Sequence, residues 1–256
     1  MEEVIEKELG PDDTLYGMAI TSGSAGTLAC GDYLKRLFPA MKIAAGEALQ
    51  CPTMMENGFG VHRIEGIGDK HVPWIHNVKN TDTVIAVDDE AVMSLARLFN
   101  EKEGRRLLVE RDVPQVAVEN LDLLGFSGIA NLIMAIKLAK YYELGANDLV
   151  LTVLTDSMDL YGSRLQEMAG EHGEYSQLDA AADYARHLQG ITTDNLEELR
   201  FTDRRRIHNL KYFTWVEQQG KSAGELVAQW SDTDYWRDIQ GQAEEIDALI
   251  EEFNHR

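Results

Sequence analysis

Residues 15–38 read LYGMAITSGSAGTLACGDYLKRLF. A short apolar run gives way to a turn of small residues, and then Leu28, Leu34, Leu37 and Phe38 recur at helical spacing. The run 15–21 predicts a strand, and the stretch 28–38 predicts a helix. The same alternation recurs downstream. The run 41–45 (MKIAA) is a second strand, leading into Gly46-Glu47. The run 83–87 (TVIAV) is a third, followed by Asp88-Asp89-Glu90, acidic residues where a helix N-terminus favours negative charge. Val92, Leu95, Ala96 and Phe99 then keep an i, i+3, i+4, i+7 pattern. The fourth run, 149–154 (LVLTVL), follows a helix expected over 129–142, and its unbroken apolar character reads as a strand covered on both faces. Strands alternating with helices imply right-handed crossovers and an α/β fold: an open, mostly parallel sheet with flanking helices.

The chain has 256 residues, with Lys+Arg 24 against Asp+Glu 44, a formal net charge of −20. Nucleic-acid affinity comes chiefly from Lys and Arg displacing counterions, so a polyanion of this kind argues against sequence-independent DNA or RNA binding and against docking on anionic lipid. Two isolated cysteines, Cys30 and Cys51, suit a reducing compartment better than a disulfide framework. No apolar run approaches the roughly 20 residues of a membrane span, and the acidic start MEEVIEKE is unlike a signal peptide. A cytoplasmic protein is expected.

Composition divides the chain into an α/β domain over 1–165 and a helical extension over 166–256. In the extension, helices are expected over 178–188, 196–200, 205–218, 223–230 and 239–253. Their aromatics (Tyr212, Phe213, Trp215, Trp230, Tyr235, Trp236) read as a satellite core or an oligomer contact, and Arg204-Arg205-Arg206 as internal ion-pair partners. Between 46 and 82 the period loosens around Gly58, Gly60, Gly66 and Gly68, a stretch long enough to be functional or lid-like.

Thr21-Ser22-Gly23-Ser24-Ala25-Gly26-Thr27 is the strongest local signal. Small residues let a ligand approach the backbone, and successive N–H groups at a helix start, with the Ser24 and Thr27 hydroxyls, make an anion socket. It lacks the Gly-Lys-Ser/Thr ending of a Walker A loop and the three-glycine dinucleotide spacing; a tight strand-to-helix turn explains it equally well. Thr155-Asp156-Ser157 ends the last strand, where parallel sheets bind ligands, though Asp and Ser are also common helix caps. Gly125-Phe126-Ser127-Gly128 reads as a capped helix start. His71 and His76 flank Pro73 and cannot share a helical face as zinc ligands, and no Gly-x-Ser-x-Gly elbow is present.

Taken together, GSAGTLACGDYLK, KIAAGEALQCP, HRIEGIGDKHVPWI, VDDEAVMSLARLF, GFSGIANLIMAIKLAK and LVLTVLTDSMDLYGSRL resemble, in order and spacing over roughly residues 15–165, the C-terminal half of the fold-type II pyridoxal-phosphate enzymes, the cysteine synthase and cystathionine β-synthase group. The likeness is strongest to the cysteine synthase branch. It implies that Gly23, Ser24, Ala25, Gly26 and Thr27 cradle the phosphate of pyridoxal 5'-phosphate, with Ala25 replacing the more usual glycine. It implies that Gly66 borders the active site and that the Ser157 hydroxyl meets the pyridine nitrogen. A neutral partner there leaves the ring a weaker electron sink, favouring loss of a β-substituent over a long-lived carbanion.

In that family the Schiff-base lysine and the substrate-carboxylate loop lie in the N-terminal half. None of this chain's lysines has the matching setting; Lys70 falls in the irregular loop, with Asp69 beside it as its expected ion-pair partner. The resemblance thus implies non-covalent coenzyme only, and no activity without a lysine. A C-terminal fragment, one subunit of a split enzyme and a non-catalytic descendant are the open explanations. The expected partners are an N-terminal half or complementary subunit carrying the lysine, and a second copy in a homodimer. The reaction implied is β-elimination or β-replacement on an amino acid such as O-acetylserine, serine or cysteine; the alternative is a non-catalytic binding or scaffold protein for a phosphate-bearing ligand.

Overall fold

A computed structural model describes residues 1–68 and 70–255; Asp69, read above as the partner of Lys70, lies outside the described residues. After α1 (Glu2–Glu8) come β1 (Thr14–Thr21), α2 (Gly26–Leu37) and β2 (Lys42–Ala48), then the short α3 (Thr53–Glu56) and β3 (Thr83–Val87). Next are α4 (Asp89–Asn100), α5 (Lys102–Glu110), α6 (Gln115–Glu119), α7 (Phe126–Tyr141) and β4 (Asp148–Leu151). The remainder holds α8 (Gly162–His172), α9 (Gln177–Asp183), β5 (Leu196–Glu198), α10 (Phe201–Lys211), α11 (Ala223–Ser231), α12 (Tyr235–Gly241) and α13 (Ala243–Asn254). Among the described residues no helix is long and apolar enough to cross a membrane.

The strands form one open sheet in the order β4-β1-β2-β3-β5. The first four pair in parallel and β5 joins β3 antiparallel, so the α/β, mostly parallel architecture holds. Alternation along each strand serves two faces. Ala19, Ala44, Ile85 and Val87 point into one core with α4, α5 and α7. Met18, Ile20, Ile43, Ala45 and Val84 point into the other, with Leu28 and Leu34 of α2 and Ile207 of α10. Asp88 caps α4, its carboxylate accepting the Glu90 N–H at 3.1 Å, as the acidic run suggests.

Three expectations need correction. Residues 196–198 are a strand, not the start of a helix: pairing Thr83 with Glu198 and Ile85 with Leu196 outweighs the local helix preference of Leu-Glu-Glu. The 149–154 run is not covered on both faces. β4 is an edge strand whose four residues are all half-buried, and Leu154 beyond it is 50% exposed. Much of the irregular stretch is no lid, since Val72, Trp74, His76 and Val78 are buried under the C-terminal helices. The core and the sheet both continue past residue 165, with Met168, Tyr175, Ala180 and Ile191 in the first cluster.

Gly46 fixes the approach of α7. A Cβ there would lie 2.1 Å from the Met134 sulfur, so the absence of a side chain gives Met134 its present place between α7 and β2. α7 in turn carries two polar side chains to the carboxyl end of the sheet.

Candidate functional site

Chain direction reverses at β1. The order runs β1-β2-β3 to one side, while β4 lies on the other, so the crevice between the carboxyl ends of β1 and β4 is the switch point where parallel sheets bind ligands. A cavity of about 340 Å³ opens there, the size of a small-ligand pocket. Thr21, Gly23, Ser24, Gly26 and Thr27 line it from the β1–α2 turn, Gly66 from the irregular loop, Ser127 and Asn131 from α7, and Thr155 from beyond β4. Five of the seven site residues expected from sequence therefore face one space. Ala25, buried at the start of α2, has a φ of 66°, the left-handed region that glycine enters freely. Ser157 is half-buried and is not part of the lining; it precedes a single turn of 3₁₀-helix, and its carbonyl accepts the Leu160 N–H at 3.2 Å.

The turn has the donor set of an anion site. The backbone N–H groups from Ser24 to Leu28 have no hydrogen-bond acceptor among the described residues. The first turn of α2 holds no acidic residue, so the positive end of its dipole is uncompensated. A Cβ added at Gly23 or Gly26 would meet nothing nearer than 3.6 Å and 3.9 Å respectively, so the space beside both glycines is open to a ligand. The Ser22 hydroxyl, at the start of this turn, is buried without a partner. These features fit a phosphate group.

Opposite the turn, polar groups are held by one another. The Ser127 hydroxyl bonds the Thr155 hydroxyl at 2.7 Å and the Asp156 carboxylate at 3.3 Å. Tyr161 donates to the other Asp156 oxygen, and this bond together with burial pushes the phenol well above its ordinary value, burial being the larger cause. Gly125 closes the corner: its N–H donates to the Asp156 carbonyl at 3.1 Å, and a Cβ there would fall 2.3 Å from the carboxylate. Ser127 thus lines the cavity, and the cap position of α7 is Gly125.

Asn131 completes the frame. Its Oδ1 accepts the Thr21 N–H at 2.7 Å and its Nδ2 donates to the Val153 carbonyl at 2.9 Å. Sequence reading did not single it out, although Ser127 and Asn131 stand at i, i+4 in the otherwise apolar first half of α7. Such spacing places two polar groups on one helical face.

Deeper under the turn, Glu47 of β2 is buried and accepts the N–H groups of Met54 and Met55 at 2.7 and 2.9 Å. Desolvation outweighs those bonds and raises its pKa to about 7. Two histidines are buried in packed surroundings: His76 Nε2 lies 2.8 Å from the Thr81 hydroxyl, and His208 Nε2 lies 3.0 Å from the Leu226 carbonyl.

Comparison with known proteins agrees with this geometry. The chain is 28% identical over 167 residues to cysteine synthase of Staphylococcus aureus, covering 62% of this chain and 48% of the relative. It is 29% identical over 140 residues to cysteine synthase B of Campylobacter jejuni, covering 54% and 40%. Among solved structures, cysteine synthase from Entamoeba histolytica matches with a TM-score of 0.53 at 19% identity, over 73% of this chain and 48% of that one. A hydrogen sulfide-producing enzyme from Fusobacterium nucleatum matches at 0.51 and 24%, over 71% and 48%; at these identities the structural likeness bears on the fold alone. No family model matches. The parallel sheet, the small-residue turn at its switch point and these sequence relatives make the matched part of the chain similar to the fold-type II pyridoxal-phosphate enzymes. The relatives it matches are cysteine synthases, and the chain spans about half their length.

Proposed function

We propose that the chain is the coenzyme-gripping C-terminal half of an enzyme that eliminates or replaces a β-substituent on an amino acid such as O-acetylserine, serine or cysteine. The single observation carrying this is the set of unpaired amides from Ser24 to Leu28 at the switch-point cavity, in a chain related to cysteine synthases.

Pyridoxal 5'-phosphate, when bound, supplies an electron sink for breaking bonds at the α-carbon of an amino acid. The residues of this chain do the holding. The Ser24–Leu28 amides and the hydroxyls of Ser24 and Thr27 take the phosphate at the positive end of α2. Asn131 fixes the two strand ends that form the cavity walls, and Ser127 and Thr155 present hydroxyls on the wall facing the turn. On this reading the Ser157 hydroxyl would meet the pyridine nitrogen, although it lies outside the present lining. An N-terminal half or a complementary subunit then carries the Schiff-base lysine and completes the site, which belongs to a cytoplasmic homodimer.

A second reading is a non-catalytic protein that holds a phosphate-bearing ligand in the same crevice. It is favoured by one observation: among the described residues no lysine lines the cavity.

Titration calorimetry of the full chain with pyridoxal 5'-phosphate tests the common element. One equivalent binds reversibly, and Ser24→Asp weakens binding at least ten-fold by charge repulsion. Binding untouched by that change removes the turn from both readings. Adding a polypeptide that carries the lysine separates the two: retention of coenzyme through dialysis supports the enzyme half, and continued loss supports the binding protein.

A further inference from the structure

The face formed by α10 and α11 carries an apolar groove of about 510 Å³ that the coenzyme reading does not use. Tyr212, Phe213, Val227 and Trp230 form its walls, and the first three are 44%, 58% and 61% exposed. Arg205 stands at its rim with its guanidinium 5.0 Å from the Trp230 ring centroid. Arg204 pairs with Asp82 and Arg206 bonds Asn57 and the Met55 carbonyl, whereas Arg205 has no carboxylate partner among the described residues.

The same chain carries a helix of complementary chemistry. No residue of α13 is buried. Ile246, Leu249, Ile250 and Phe253, at i, i+3, i+4 and i+7, form one stripe and are 49–76% exposed. The rest of the helix includes Glu244, Glu245, Asp247, Glu251 and Glu252. A helix of 12 residues is marginal in water by itself, so this stripe requires cover. Exposed stripes with acidic flanks suit an apolar groove with an unpaired arginine at its rim.

We propose that α13 of a second copy of this chain lies in the α10–α11 groove, and the reverse, giving a two-fold pair. A cis arrangement is opposed by the path of the chain. Tyr235 donates to Glu225 at 2.9 Å and Trp236 to the Gln229 carbonyl at 3.1 Å, holding α12 against the 225/229 side of α11. Arg36 of α2 donates to Gln240 at 3.1 Å and pins the end of α12 there. The groove uses Ala223, Val227 and Trp230, the opposite side of the same helix. Each copy offers one helix and one groove, so a pair buries both contacts at once, which brings short helices toward the roughly 1,200–2,000 Å² of stable interfaces.

Sedimentation of the full chain tests this. The wild type has at least twice the monomer mass. Leu249→Asp combined with Phe253→Asp on the helix, and separately Val227→Glu in the groove, each halve that mass with an unchanged far-ultraviolet circular dichroism spectrum. Arg205→Glu weakens association at least five-fold, and more so at low salt. A monomeric wild type, as when α13 folds onto its own groove, overturns the proposal. So does a mass that either the helix or the groove variant leaves intact. Coenzyme binding is measured on the same samples, and its outcome bears only on the functional reading above.

Discussion

Asn131 stands where the backbone pairing of β1 and β4 stops. The last ladder partners are Met18 and Leu151, and beyond them the Asn131 amide links Thr21 to Val153 in place of a direct strand bond. The side chain is fully buried. Asn131→Leu keeps the approximate volume but leaves a buried N–H and a partly buried carbonyl unpaired, a loss of roughly 2–4 kcal/mol. Urea denaturation will show a lower midpoint with an unchanged slope, and the variant will hold pyridoxal 5'-phosphate less tightly because the turn after Thr21 has lost its anchor. The sequence discloses the 23–27 turn because small residues stand at a strand-to-helix junction, although a plain tight turn would read the same until the other segments of the resemblance are set beside it. It does not disclose Asn131, whose role depends on where β4 comes to lie beside β1. The polar i, i+4 pair in α7 was the available sign. Ser157 is the reverse case: family likeness assigns it a role that its present position does not by itself provide.

The strands at the two sheet edges show what local pattern omits. The four parallel strands are legible because each alternates toward two cores. β5 is not, since Leu-Glu-Glu favours helix locally and becomes a strand only by lying along β3. β4 misleads differently: an apolar run signals burial without saying by what, and one edge of this strand has no partner strand in the sheet. At the junction with α10 one carboxylate joins four elements. Asp82, just before β3, accepts from Lys35 of α2 at 2.6 Å, from the N–H of Ile43 in β2 at 2.7 Å and from Arg204 of α10 at 3.4 Å. Asp82→Ala leaves two cations and a strand N–H without that acceptor, a cost of about 2–4 kcal/mol given its partial burial. Limited proteolysis will then cut first between β5 and α10, while the wild type resists at that site. Equal protease resistance in the two proteins would mean that Asp82 does not clamp α10 to the sheet.

At the scale of the molecule, Lys211 fastens the C-terminal helices to the loop beneath them. Its ammonium group is fully buried and donates to the carbonyls of Trp74 and His76 at 2.9 and 2.6 Å and to Gln229 at 2.9 Å. Trp215 adds a bond to the Val72 carbonyl at 2.8 Å. The aromatics of the extension were legible as a satellite core, but not the lysine at its centre, because a lysine in an exposed-looking helix reads as solvated until its carbonyl partners are in place. Desolvation lowers the Lys211 pKa to about 7, with the Asp32 carboxylate opposing the shift. Between that value and the ordinary 10.5 the unfolded chain carries a proton that the folded chain has released. Stability therefore rises with pH across this window, by at most about 1.4 kcal/mol per unit for one proton. On the acid side the contributions oppose one another. Glu47 and Asp32, raised to about 7 and about 6, lose stabilisation as pH rises, whereas His76 and His208, lowered to about 3 and about 4, gain it. Between pH 7 and 9 the limb is largely free of that cancellation, because the groups raised in the folded chain, Cys30 and the tyrosines, lose their protons in the unfolded chain only near 9 and 10. Urea unfolding at pH 7, 8 and 9 will show the wild type gaining stability. Lys211→Met removes the titrating group along with three hydrogen bonds, so its profile is flat and its deficit relative to the wild type widens as pH rises. Parallel profiles would mean that Lys211 keeps its proton in the folded chain, and the buried ammonium would then be a fixed cation at every pH tested.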